Sequence, residues 1–119
     1  MQINFISSGD TQVALIVSDD IIMRTAEEAA ELLMNCHYQG ADSLIVHSYN
    51  LPEAFFDLKT KLAGDILQKF STYQGRLAIV GDFSKYDSQS LRDFIYESNK
   101  GKRINFVTSI EEAISALMK

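Results

Sequence analysis

Three short runs in this chain are apolar at every position: Val13-Ala14-Leu15-Ile16-Val17, Leu44-Ile45-Val46 and Leu77-Ala78-Ile79-Val80. A strand with one face in water alternates apolar and polar residues, so an unbroken apolar run rich in β-branched side chains belongs to a strand covered on both faces. Sheets built from such strands are mostly parallel, and parallel neighbours need a crossover of a dozen or more residues. The segments between the three runs are long enough, and their patterning is helical.

Thr25-Ala26-Glu27-Glu28 fits a capping box, in which the Thr25 hydroxyl takes the Glu28 amide and the Glu28 carboxylate returns to the Thr25 amide. Ala29, Leu32, Leu33 and Cys36 then recur at helical spacing, and Gly40 supplies the left-handed residue that ends the helix. Leu58, Leu62, Ala63, Ile66, Leu67 and Phe70 form one stripe over more than three turns, which predicts a second crossover helix. Gly64 inside it costs about 1 kcal/mol relative to Ala, so its backbone is expected to approach the sheet closely. Leu91, Phe94 and Ile95 mark a third helix stopping near Asn99-Lys100-Gly101, and Ser109-Ile110-Glu111-Glu112 is a second capping box that opens a closing helix.

At the start of the chain, Gln2 to Ile6 alternates weakly, with Ile3 and Phe5 on one face. Ser7, Ser8, Gly9 and Asp10 are turn formers, so this segment pairs with Val13–Val17 as a hairpin whose second strand lies further inside. Asn105 interrupts the apolar run of Ile104, Phe106 and Val107, which places that last strand at a sheet edge. The expected fold is α/β: an N-terminal β-hairpin, then alternating β/α, making a mostly parallel five-stranded sheet with four helices in a single domain over residues 1–119.

A chain of 119 residues with 46% hydrophobic and 23% charged residues buries enough surface to fold without a disulfide or metal. The single Cys36 makes no intramolecular bridge, and Met1 to Asp10 lacks the basic start and apolar core of a signal peptide, so the cytoplasm is expected. No apolar run approaches the ~20 residues of a membrane helix. The net charge of −5 repels a phosphate backbone on average, so neither nucleic acid nor membrane is an expected partner. The charge is uneven: residues 1–58 hold nine acids and one base, and residues 59–119 seven acids and ten bases, densest at Lys100, Lys102 and Arg103.

Three stretches carry a family likeness: residues 55–64 from Phe55-Phe56-Asp57-Leu58, residues 77–83 ending Val80-Gly81-Asp82-Phe83, and residues 93–102 around Glu97-Ser98-Asn99-Lys100. Together they resemble a family of small bacterial proteins of unknown function, along nearly the whole chain. More distantly, the element order, Asp57-Leu58-Lys59 and Val80-Gly81-Asp82 are similar to the STAS-like group, named for sulfate transporters and anti-sigma-factor antagonists. That resemblance implies a domain that binds partners. The antagonists carry a phosphorylatable Ser after the corresponding Asp, whereas Leu58 follows Asp57 here.

In an open parallel sheet, ligands bind outside the carboxyl ends of the strands. That edge is expected to collect Ser18, Asn50, Thr108 and Ser109 around six candidate site residues, Asp19, Asp20, His47, Ser48, Asp82 and Ser84, rimmed by Tyr49, Phe83 and Tyr86. His47 is a candidate acid or base with Asp82 as its orienter. The competing reading makes the same residues turn formers and helix caps, which strand-to-helix loops need in any α/β domain. Asp19-Asp20 is similar to the acid pair of response-regulator receivers, but the chain lacks the fifth parallel strand and Lys that such domains use. Cys36 and His37 are adjacent on a helix and do not face each other, and Gly81 stands outside any phosphate-loop spacing. With no catalytic residue, metal or cofactor assigned, the expected function is a non-enzymatic regulatory or protein-interaction domain. Its partner is an unidentified protein, homo-oligomers are left open, and the alternative is a small-molecule binder or enzyme using the same edge.

Overall fold

A computed structural model describes residues 1–118. In chain order it comprises β1 (Gln2–Ser8), β2 (Thr11–Val17), α1 (Ala26–Tyr38), β3 (Ser43–His47), α2 (Glu53–Phe56), α3 (Leu62–Thr72), β4 (Arg76–Val80), α4 (Gln89–Lys100), β5 (Ile104–Val107) and α5 (Ile110–Leu117). The strands lie in the order β1-β2-β3-β4-β5, with β1 antiparallel to β2 and every other pair parallel. The fold is thus α/β with a mostly parallel five-stranded sheet and an N-terminal hairpin. Ser8 pairs with Thr11 across a two-residue turn, and Gly9 at φ 61° gives the positive φ that such a turn needs at its first central position.

The three apolar runs lie in interior strands and each feeds two cores, but the first is not covered throughout: Leu15 is half-buried, and Val17, at its end beside the edge strand, is 44% exposed. Ala14, Ile16, Leu44, Val46, Leu77, Ile79, Ile104 and Phe106 face one side, where α1, α2, α3 and α4 cover them. Val13, Ile45, Ala78, Val80 and Val107 face the other and are covered by α5 through Ala113 and Leu117. β5 is the second edge strand, as Asn105 indicates; its side-chain amide donates to the Gly101 carbonyl at 3.1 Å.

Several local expectations need correction. Both capping residues act as predicted at the hydroxyl: Thr25 accepts from the Glu28 amide and Ser109 from the Glu112 amide. The returning carboxylates, however, reach one residue further back. Glu28 takes the Arg24 amide at 3.0 Å and Glu112 the Thr108 amide at 3.4 Å, so each box closes on the residue before the cap. The second crossover is not one helix from Leu58. Lys61 adopts φ 67°, the Thr60 hydroxyl donates to the Ala54 and Asp57 carbonyls, and Asp57 caps a 3-10 turn over Leu58–Thr60. α3 therefore starts at Leu62, and the short α2 is a fifth helix beyond the four expected.

Gly64 does not approach the sheet. It is exposed, and a Cβ built there meets nothing within 4 Å. Close approaches occur instead at Gly75, where a Cβ would lie 2.6 Å from Leu33 Cδ2, and at Gly81, where it would lie 2.5 Å from Ser48 Oγ and 2.7 Å from Ser48 Cβ. Gly64→Ala should therefore raise stability by about 0.5 kcal/mol, the gain being less than a full mid-helix substitution because the site is in the first turn. Gly81→Ala should lower it by roughly 1–3 kcal/mol through overpacking. Urea unfolding of the two variants checks both signs; a stabilised Gly81→Ala would contradict the contact.

Candidate functional site

The parallel strands end together at one edge, with His47 opposite Val80 and Val80 opposite Val107. The loops leaving that edge hold the expected polar residues, but they fall into separate groups. Asp19 and Asp20 are exposed in the loop after β2. His47 is half-buried, and its ring stacks on Tyr49 at 4.9 Å between centroids and 14° between planes. Ser48 packs against Gly81, which brings the β3 and β4 ends into contact.

Asp82 does not orient His47. Its Oδ1 accepts from the Ser84 amide at 3.0 Å and the Ser84 hydroxyl at 2.6 Å, a self-contained turn at the surface. Those hydrogen bonds, the hydroxyl first and the amide second, hold the Asp82 carboxyl below its usual value. Asp82 and Ser84 thus behave as turn residues. Among the described residues, no three His, Cys, Asp or Glu side chains gather where they would hold one metal ion.

The residue that organises this edge is Asn50. It is fully buried; its amide nitrogen donates to the carbonyls of Ser18 at 2.8 Å and Asp20 at 2.9 Å, and its oxygen accepts the His47 amide at 2.9 Å. The Ile22 amide closes the tie by donating to the Asn50 carbonyl at 2.9 Å. One side chain thereby fixes the Asp19-Asp20 loop against the end of β3. Its burial beside a polar loop, with three of its hydrogen-bonding positions filled, marks it as a structural pin.

A groove of about 760 Å³ opens beside this pin, between the α2 segment and the loop after β4. Tyr49, Phe56 and Tyr86 form its aromatic wall, and Glu53, Asp57 and Lys85 supply charges of both signs. Phe56 and Tyr86 stack at 5.0 Å and 13°, and Phe56 is held from behind by Phe55 at 5.0 Å, edge to face. Phe83, expected on the rim, is half-buried and packs edge-on against Phe106 at 5.2 Å. Burial first, and the nearby Glu53 carboxylate second, push the Tyr86 hydroxyl above its usual pKa, so it stays protonated and able to donate.

Of the six residues expected to form the site, only Ser48 lines this groove. Asp20 borders a separate depression with Ile21, Glu28 and Glu31 against α1. Tyr49 and Tyr86 were legible as rim residues. Glu53, Phe56, Asp57 and Lys85 were missed; the available signal was Pro52, which ends the β3 connection and starts a new helix at Glu53.

Residues 8–117 match the family described as Domain of unknown function (DUF4180), and the chain belongs to that family. No curated protein matches the chain.

Asn50→Ala leaves the His47 amide and the Ser18 and Asp20 carbonyls without their partner, and should cost on the order of 3 kcal/mol. Amide exchange should rise most at His47 and Ile22. Equal exchange in variant and parent at those two amides would remove Asn50 from its role as the pin.

Proposed function

We propose that this protein is a non-enzymatic interaction domain that uses the groove between α2 and the β4–α4 loop to hold a segment of a protein partner. The observation that carries the reading is the wall of Tyr49, Phe56 and Tyr86, with Tyr49 exposed to 56% at the open side. Tyrosine in such a place offers large contact area at low entropic cost and a hydroxyl for main-chain recognition. Glu53, Asp57 and Lys85 set at the margin suit a segment that carries both charges. His47 stacks on Tyr49, and Asp82 is taken up by the amide and hydroxyl of Ser84 in an exposed turn, so both groups serve local structure beside the groove.

The same reading makes the protein a bacterial, cytoplasmic regulatory domain with a distant STAS-like relationship. The N-terminal hairpin, the alternation of strands and helices after it, and the partner-binding habit of that group support it. Leu58, in place of a phosphoacceptor after Asp57, means that regulation here works without that switch. No helix among the described residues is long and apolar enough to cross a membrane. A second reading, a small-molecule ligand in the same groove, is favoured by its volume, which falls within the ~300–1,000 Å³ of ligand pockets.

Photo-crosslinking in cells separates the two. A benzoylphenylalanine at Tyr49 should give a discrete protein adduct that is lost on Tyr86→Ala, while the same probe at Tyr38, 83% exposed at the far end of α1, should give none. A small molecule retained in native mass spectrometry and released by Tyr86→Ala would instead support the second reading. Neither adduct nor retained ligand at the groove would overturn both.

A further inference from the structure

The two edges of the sheet are treated differently. β5 is four residues long, and the Asn99 side chain lies along its free edge as a strand would, accepting the Phe106 amide at 2.7 Å and donating to the Phe106 carbonyl at 3.2 Å. Lys100, Lys102 and Arg103 flank it. These are the protections by which proteins keep an edge from pairing.

β1 has none of them. It is seven residues long, from Gln2 to Ser8, with no charge and no proline, in a chain whose net charge is −5. Ser8 and Thr11 flank a two-residue turn and so form a mutually hydrogen-bonded pair, which alternation extends to Ile6, Asn4 and Gln2. The amides and carbonyls of Ile3, Phe5 and Ser7 consequently point away from β2. Phe5 sits at the centre of this free edge and is still 36% exposed, opposite Ala14 on the face that the crossover helices cover.

We propose that β1 is a homodimer interface, in which two copies pair β1 antiparallel about a two-fold axis at Phe5 and form one continuous ten-stranded sheet. The outward groups of Ile3, Phe5 and Ser7 are spaced symmetrically about Phe5. Phe5 then lies opposite the partner's Phe5 and Ile3 opposite the partner's Ser7, giving six main-chain hydrogen bonds by geometry. A second copy is the occupant because the edge is its own complement: the side chains of Gln2–Ser8 carry no charge, and the two-fold at Phe5 sets the Met1 ammonium of each copy beside the turn that carries the other copy's Asp10. The two phenylalanines pack across the axis as a cross-strand aromatic pair. This interface is two strands away from the groove between β3 and β4, and leaves that groove open in both copies.

Sedimentation equilibrium of the full chain should show a dimer. Phe5→Lys, which sets two ammonium groups opposite each other, should shift it to monomer, and so should Phe5→Pro, which removes an amide that β2 does not use. Oxidation of Phe5→Cys should give a disulfide-linked dimer, since a hydrogen-bonded pair puts the two Cα atoms about 5.5 Å apart; Tyr38→Cys should not. Cys36, the one native cysteine, is buried and does not compete. A parent chain that is monomeric at every soluble concentration would overturn the proposal. So would a dimer that survives both substitutions with no crosslink at position 5.

Discussion

A right-handed crossover that lays each parallel strand beside the previous one sets its helix on the same face every time. The order β1-β2-β3-β4-β5 contains no reversal, so α1, the α2–α3 segment and α4 crowd one face and the other is left to α5. An eight-residue helix must then shield Val13, Ile45, Ala78, Val80 and Val107 from water. Arg76 holds it in place at the opening of β4. Its guanidinium donates to the Ala116 and Leu117 carbonyls at 3.0 and 3.1 Å, and its Nε to the Lys102 carbonyl at 2.6 Å. Burial, and secondarily Arg103, lower the Arg76 pKa, but the group remains a cation facing the negative end of the α5 dipole.

The same strand order explains where the groove is. Open α/β sheets bind ligands in the crevice where the strand order reverses and neighbouring crossovers part to opposite faces. This sheet has no such point among its parallel strands. Its concavity is built from the connection after β3 instead, where Pro52 starts α2, the Thr60 hydroxyl returns to Ala54, and Lys61 turns the chain into α3. The groove depends on those local bonds holding a short segment away from the sheet end, and so on side chains that are not themselves part of an apolar stripe.

That dependence also separates what the residues disclosed from what they did not. β2, β3, β4 and the helices over them follow from burial, which writes a period into the sequence, and Thr25, Ser109 and Gly40 follow from backbone chemistry at helix ends. The break at Lys61 leaves no such mark, because Leu58 and Leu62 still pack on one core although Leu58 lies in the 3-10 turn and only Leu62 in α3. Gly64 and Gly81 look alike in sequence; which of them meets another chain segment is decided by Ser48, 33 positions before Gly81. The polar cluster at the strand ends was legible as a set. Its division into the Asn50 pin, the Asp82–Ser84 turn and the aromatic wall was not, since hydrogen-bond partners are chosen in three dimensions. Asn99, read only as a helix end, closes an edge for the same reason.

Asn50 has a further consequence for how this molecule can transmit a binding event. The groove residues Ser48 and Tyr49 directly precede it, and its amide nitrogen grips the loop that leaves β2. β2 in turn is paired along its full length with β1. A partner that shifts the Ser48–Asn50 turn must therefore either break hydrogen bonds at a fully buried amide or carry the β2 loop with it. The first costs about what any buried polar group costs when left unpaired, of order 1–3 kcal/mol. The second moves the end of the hairpin that carries the free edge. A segment held in the proposed groove and a copy paired at the proposed β1 interface would therefore communicate through the Asn50 side chain, the Ile22 amide bonded to its carbonyl and the β2–β3 pairing.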